Sequence, residues 1–135
     1  MAIKIVDIKA ALAPLTPLMM RCEDTTEAEA AAAFAELAPF RDGGIFAGSF
    51  QGDSGWEIHP KGDEIVHILD GAVALTILTD EGKEVLELRA GMLVVVPQNC
   101  WHRFNAPDRV TVMTATPQPT QHTFADDPRQ QTVIN

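Results

Sequence analysis

The chain has 135 residues, of which 46% are hydrophobic and 21% charged, and its 19 acidic and 10 basic residues give a net charge of −9. This length fits one domain with its own core. The acidic balance excludes nucleic acid and anionic membranes as expected partners, because both are bound through clusters of Lys and Arg.

The first 40 residues are predicted to hold one helix. Residues 3–8 could form a short edge strand, and the prolines in residues 10–20 favour an extended chain there. A helix is expected over residues 24–37, because Asp and Thr supply N-cap oxygens, early glutamates suit the helix dipole, and alanines follow. Pro39 ends this helix.

From residue 43 onward the sequence is typical of short strands separated by turns. Residues 79–82 predict a hairpin turn, in which Gly82 can take a positive φ. A sandwich or a barrel is expected, because both protect strand edges. The predicted strands are residues 45–50, 55–59, 64–69, 72–78, 84–88, 92–96, 100–104 and 110–116.

The N-terminal stretch and the cysteines indicate a cytoplasmic protein. Residues 1–20 are apolar but carry three charges and two prolines, so no signal peptide is expected. No apolar run reaches the roughly 20 residues that span a bilayer. Cys22 and Cys100 have no metal-site spacing, and two reduced thiols are expected.

Four residues form a candidate metal site. Residues two apart in a strand point to the same face, so Glu57 and His59 project together. Glu64 begins the next predicted strand and can reach His59 if the two strands pair. His102 completes the set if its strand is adjacent. Two imidazoles and two carboxylates suit Fe(II), Mn(II), Ni(II) or Zn(II).

Spacing alone leaves a simpler interpretation open. Glu57 and Glu64 could be solvated charges around a turn, and a lone histidine is more often structural than a ligand. Both interpretations fit the pattern of residues 56–66.

The same segment resembles the first motif of the cupin family of small β-barrels, written G-x5-H-x-H-x3-4-E-x6-G. His59 occupies the second histidine position, Glu64 follows after four residues, and Gly71 follows after six more. Glu57 stands in the first histidine position and Gln51, followed by Gly52, in the opening glycine position. The site is therefore more anionic than the family's usual set of three histidines and one glutamate.

The second cupin motif, G-x5-P-x-G-x2-H-x3-N, is matched by residues 91–106. Gly91, Pro97 and His102 occupy their positions. Asn99 replaces the glycine, which is tolerable because asparagine enters left-handed conformations readily. Ala106 replaces the closing asparagine. The resemblance covers about residues 45–116.

The resemblance implies an all-β fold, a single jelly-roll or cupin β-barrel with one N-terminal helix. Residues 1–44 would pack on the barrel as a strand, an extended segment and a helix, residues 45–116 would form its core, and residues 117–135 would lie over the surface. It further implies one divalent metal (Fe, Mn, Ni or Zn) on Glu57, His59, Glu64 and His102, a small-molecule ligand, and a homodimer in which residues 3–6 are a candidate for strand swapping.

Several neighbours of these residues are predicted to lie elsewhere. His67 faces the side opposite Glu64, where a structural or interface role is expected. Cys100 and Phe104 share the parity of His102 and are expected in the same cavity, although Cys100 is not expected to be a nucleophile. Exposure is expected for His122. Side chains predicted to point away from the site are Trp56, Trp101 and Arg103.

The leading functional hypothesis is a small-molecule metalloenzyme of dioxygenase, isomerase or lyase type, with no substrate indicated. The alternative is a metal-free binding or sensing module. Glu57 discriminates between them: convergence with His59, Glu64 and His102 favours an enzyme, and an ion pair with Lys61 or Arg103 outside the cavity favours the module. A filled barrel without a pocket would favour a third hypothesis, a purely structural dimer.

Overall fold

The computed structural model describes residues 2–130, and within them two short helices precede most of the strands. The helices are α1 (Ile8–Leu12) and α2 (Glu27–Ala33). The strands are β1 (Leu18–Arg21), β2 (Phe34–Phe40), β3 (Gly43–Ile58), β4 (Glu64–Asp70), β5 (Ala72–Thr79), β6 (Gly82–Arg89), β7 (Leu93–Val96), β8 (His102–Pro117) and β9 (Gln121–Thr123). Met1 and residues 131–135 lie outside the described residues. Residues 131–135 are the end of the predicted surface segment.

Two 16-residue strands, β3 and β8, form the central ribbon of the fold. They pair antiparallel from Gly43 and Pro117 at one end to Glu57 and His102 at the other. The second edge of β8 pairs with β5 through residues 102–105 and with β4 through residues 111–115. The second edge of β3 carries β2, β1 and β9 in turn. This arrangement confirms the predicted all-β fold.

The core is built from residues of this ribbon and of the strands beside it. Strands β4 and β5 alternate buried and more exposed residues, as expected for strands with one buried face. The largest fully buried side chains are Phe50, Val66, Ile68, Val73, Leu75, Val96, His102 and Val110. One of these eight, His102, is polar, and it belongs to the candidate site.

The predicted helix over residues 24–37 is half the expected length. It begins with a capping box, in which Glu29 N donates to Thr26 Oγ1 at 3.1 Å and Thr26 N donates to Glu29 Oε1 at 3.0 Å. From Phe34 the chain pairs with β3, and Leu37 becomes 5% exposed. Sheet pairing and burial therefore outweigh the helix propensity of these residues.

Two further predictions for the N-terminal region are wrong. Residues 3–8 form no strand within the described chain. The extended chain predicted over residues 10–20 is wrong at residues 10–12, which belong to α1, whereas residues 18–20 lie in strand β1. The Asp7 carboxylate caps α1 by accepting a hydrogen bond from Ala10 N at 3.0 Å. Pro14 and Pro17 lie beyond this helix, so they do not prevent it.

All eight predicted strand runs fall largely within observed strands, but two pairs of runs merge, and β1, β2 and β9 were not among the predicted strands. Predicted residues 45–50 and 55–59 are both within β3, and predicted residues 100–104 and 110–116 largely fall within β8. The register between β3 and β8 shifts between Phe50 and Gly52 and again between Asp53 and Trp56. These irregularities let β3 continue through a sequence that resembles a turn. The predicted hairpin turn is present between Thr79 and Gly82.

The described N-terminal residues leave apolar side chains exposed. Ile3 is 90% exposed and Ile5 is 93% exposed, and the Lys4 side chain donates to the Leu37 carbonyl at 3.0 Å. Dimerisation through this segment stays a prediction. Neither helix in residues 2–130 has the length and apolarity of a membrane-crossing segment.

Candidate metal centre

The fold brings all four predicted site residues together. Glu57 on β3 and His102 on β8 are direct partners in the register, and their Oε2 and Nε2 atoms are 3.8 Å apart. His59 follows the end of β3. Glu64, the first residue of β4, lies between the two imidazoles, 3.3 Å from His59 Nε2 and 3.2 Å from His102 Nε2.

The two imidazoles are held by their outward nitrogens. His102 Nδ1 donates to the Cys100 carbonyl at 3.0 Å, because that oxygen can only accept. His59 Nδ1 lies 3.0 Å from Thr120 Oγ1. The outward nitrogen of each ring is therefore engaged, and Nε2 of each ring faces Glu64. Metal-binding histidines are held in the same way.

Three inward atoms are buried among the described residues without any hydrogen-bond partner: His59 Nε2, His102 Nε2 and Glu64 Oε1. An unpaired buried polar atom costs about 1–3 kcal/mol. Two ligand atoms bound to one ion at about 2.1 Å stand roughly 3.0–3.4 Å apart, which matches the separations around Glu64. A cation would satisfy all three atoms at once.

The donor set fits a divalent ion. Glu57, His59 and His102 each offer one ligand atom within 4.8 Å of the other two, and Glu64 contacts both histidines. Imidazole suits Zn, Fe and Ni, and carboxylate suits harder ions such as Mn. Thr116 Oγ1 donates to Glu64 Oε2 at 2.7 Å, and this bond holds the carboxylate with Oε2 towards His59 and Oε1 towards His102.

Electrostatics in the site favour an ionised Glu64. Burial alone would raise its pKa, but His102 and His59 beside it outweigh burial and lower the pKa of the carboxyl. Burial likewise opposes protonation of His102, whereas Glu64 and Glu57 raise the pKa of its imidazole. The buried Glu64 and the partly buried Glu57 thus face two imidazoles.

A cavity of about 370 Å³ opens onto Glu57, His59 and Glu64, and its wall includes groups that the sequence did not point to. The Arg21 guanidinium lies 3.7 Å from Glu57 Oε1. His122 Nδ1 lies 4.0 Å from the same oxygen, with 56% of its side chain exposed as predicted. The tail from Pro117, predicted to lie over the surface, forms β9 beside Glu57 and places Thr120 on His59. No spacing in the sequence indicated that the segment after Pro117 pairs with β3 beside Glu57.

The outward neighbours lie where strand alternation predicts. Arg103 forms a bidentate pair with Asp53, with both contacts at 2.8 Å, and stacks over Trp56. His67 is on the face opposite Glu64, with alternating burial along β4. Glu57 therefore has no contact with Arg103, and its carboxylate lies in the cavity.

Cys100 is the exception. Phe104 lines the cavity as expected, but Cys100 packs against the core and, with Trp101, lines a separate surface depression. Strand β8 begins at His102, so alternation does not extend back to Cys100. Burial raises the pKa of its thiol, as Asp80 and Asp63 also do, which keeps it protonated.

Comparison with known proteins identifies one family. The family model described as a cupin domain matches residues 50–116. No curated protein matches the sequence.

Solved structures similar to this chain share its fold. A conserved protein of unknown function from Streptococcus pyogenes is 20% identical, with a TM-score of 0.57, over 88% of this chain and 90% of that chain. A protein containing a cupin-2 domain from Shewanella frigidimarina is 19% identical, with a TM-score of 0.53, over 67% of this chain and 80% of that chain.

A third similar structure is the hydroquinone 1,2-dioxygenase PnpCD in complex with Cd²⁺ and 4-hydroxybenzonitrile. It is 17% identical, with a TM-score of 0.53, over 62% of this chain and 63% of that chain. This chain thus spans less than two thirds of that dioxygenase chain. At these identities the likeness shows the fold.

Proposed function

Residues 50–116 of this chain are a domain of the cupin superfamily, and from that premise we propose that the chain is a small-molecule metalloenzyme. One divalent ion is held by His59, His102, Glu64 and Glu57. The observation that carries the proposal is the group of three buried inward atoms, on both imidazoles and on Glu64, that have no hydrogen-bond partner.

The protein's own residues prepare the site for this role. The Cys100 carbonyl and Thr120 hold the outward nitrogens of the two imidazoles, and Thr116 orients Glu64. Aromatic side chains form part of the inner cavity wall, among them Phe50 and Phe104. A bound ion supplies Lewis-acid polarisation of an oxygen-bearing substrate, or O₂ activation if it is iron.

The comparison structures support this proposal only at the level of fold. The Cd²⁺ of the dioxygenase belongs to that protein, and the identity of 17% transfers no ligand to this chain. Metal binding here is therefore argued from the chain's own four side chains.

A metal-free binding module is the second candidate, and one observation favours it. Glu57 Oε1 faces the Arg21 guanidinium at 3.7 Å and the His122 imidazole at 4.0 Å, so the Arg21 charge can balance this carboxylate without an ion. Glu57 Oε2 nevertheless faces His102 inside the cavity, the position expected for an enzyme. The cavity of about 370 Å³ counts against a purely structural role.

We expect a divalent ion to stabilise the folded protein, because it binds the assembled site and not the unfolded chain. At 100 times the dissociation constant the gain is about 2.7 kcal/mol, which corresponds to a rise of roughly 10 °C in Tm for a chain of this size. The measurement is differential scanning fluorimetry of chelator-treated, tag-free protein with Mn²⁺, Fe²⁺, Ni²⁺ or Zn²⁺.

His59→Ala is the control for this measurement, since its Tm is expected to stay within a few degrees whether or not the ion is present. A flat wild-type response to all four ions, with small molecules still binding in the cavity, favours the metal-free module.

A further inference from the structure

Arg21 reaches the cavity because of a close backbone contact. It ends β1, which pairs in parallel with β3, and Arg21 is the register partner of Gly52. Gly52 has a φ of +114°, and a Cβ atom there would lie 2.4 Å from the Arg21 carbonyl oxygen. Only glycine permits this approach. The pairing directs the Arg21 side chain towards Glu57.

The Arg21 guanidinium is held in place by aromatic rings. It lies 4.8 Å from the ring centroid of Phe50 and 5.2 Å from that of Phe34, and the side chain is 18% exposed. Burial lowers its pKa from the usual value, while Glu57 opposes that change. A guanidinium stays protonated throughout the range in which proteins fold. Arg21 is therefore a fixed positive charge on an aromatic wall.

This charge is incompletely paired. Among residues 2–130, the one carboxylate within 4.0 Å of the Arg21 guanidinium is that of Glu57, at 3.7 Å, which is longer than a hydrogen bond. Arg103 shows the contrast, because Asp53 engages it through two contacts of 2.8 Å. Arg21 retains donors that a second carboxylate can reach in the bidentate geometry that guanidinium favours.

The charge in the cavity matches a monoanion. The carboxylates of Glu57 and Glu64 contribute a formal charge of −2 and a divalent ion contributes +2. The guanidinium of Arg21 then leaves a net charge of +1. Glu57 faces Arg21 with Oε1 and His102 with Oε2, so the guanidinium and the metal ligands flank the same carboxylate. Part of the remaining wall is apolar and includes Phe46 and Val112, and part is polar, with Thr114, Gln118 and Thr120 among its residues.

We propose that Arg21 anchors the carboxylate of the substrate, and that the substrate is a monocarboxylate with an aromatic or aliphatic body. This inference rests on the proposed function and names the substrate class of that same cavity. The carboxylate pairs with Arg21 beside the metal ligands, and the apolar body packs against the phenylalanine wall.

The experiment is isothermal titration calorimetry of Mn²⁺-loaded protein with benzoate and with benzamide, its uncharged analogue. In Arg21→Met, which keeps an apolar side chain of similar length on Phe50 and Phe34, we expect the Kd for benzoate to rise about 10- to 100-fold. Arg21→Lys keeps the charge but loses the bidentate geometry, and its rise should be smaller. Acetate, which lacks the apolar body, should bind more weakly than benzoate.

Equal benzoate affinity in wild type and Arg21→Met overturns the inference, as does equal binding of benzamide and benzoate to the wild type. Absence of benzoate binding to the wild type at millimolar concentration overturns it too. Matching Tm values of the variants show that they are folded. The same titrations in EDTA separate the two proposals: Arg21-dependent benzoate binding to protein that takes up no metal sustains the inference and contradicts the proposed function.

Discussion

His102→Ala is expected to weaken metal binding by about 100-fold or more, since even the loss of a residue that only hydrogen-bonds to a metal ligand costs roughly 10- to 100-fold. His102 is fully buried, and its Nε2 contacts both carboxylates of the site, at 3.2 Å to Glu64 and 3.8 Å to Glu57. Its loss removes one of two imidazole ligands and leaves the carboxylates facing an empty volume. The measurement is a competition titration of the ion against a chromophoric chelator.

The matched control is His122→Ala. This histidine also contacts Glu57, at 4.0 Å, but it is 56% exposed at the edge of the cavity. Its removal should change metal affinity no more than about threefold, in keeping with the weakness of exposed pairs. If the two variants lose affinity equally, the ion is not bound at the inner histidine pair.

Phe50→Ala is expected to lower the free energy of unfolding by about 3–5 kcal/mol, the range for aromatic truncation in a core. Phe50 is 1% exposed and its ring lies 6.1 Å from that of Phe34 and 6.2 Å from that of Phe104. It also supports the Arg21 guanidinium. Urea denaturation followed by circular dichroism, at one fixed protein concentration, measures the change.

Phe40→Ala serves as its control, because Phe40 is 46% exposed on β2 and forms no part of the buried cluster. Its effect should stay below about 1 kcal/mol, as for most surface substitutions. A loss at Phe50 no larger than the loss at Phe40 contradicts the placement of Phe50 at the centre of the core.

Strand alternation and the two cupin motifs predicted most residues of the site. Glu57 and His59 are two apart, and the match of Glu64 and His102 to motif positions predicted that all four side chains meet. Alternation also predicted that the Arg103 side chain points away from the site, where it pairs with Asp53. It failed at Cys100, because that residue precedes β8 and lies in a turn.

Other features depend on contacts between distant parts of the chain. Arg21 enters the cavity through parallel pairing of β1 with β3, and Thr120 through the return of the tail along β3. Neither segment has a spacing signal that points to the site. Residues 34–37 similarly have helical propensity but form part of β2, since β3 offers them an edge to pair with.

The central claim is most directly tested by the metal content of tag-free protein, measured by inductively coupled plasma mass spectrometry after incubation with a mixture of Mn²⁺, Fe²⁺, Ni²⁺ and Zn²⁺ and removal of unbound ions. The wild type is predicted to retain about one ion per chain, and the His59→Ala/His102→Ala double variant close to none. A wild type that retains no ion, or a double variant that retains as much as the wild type, contradicts the account.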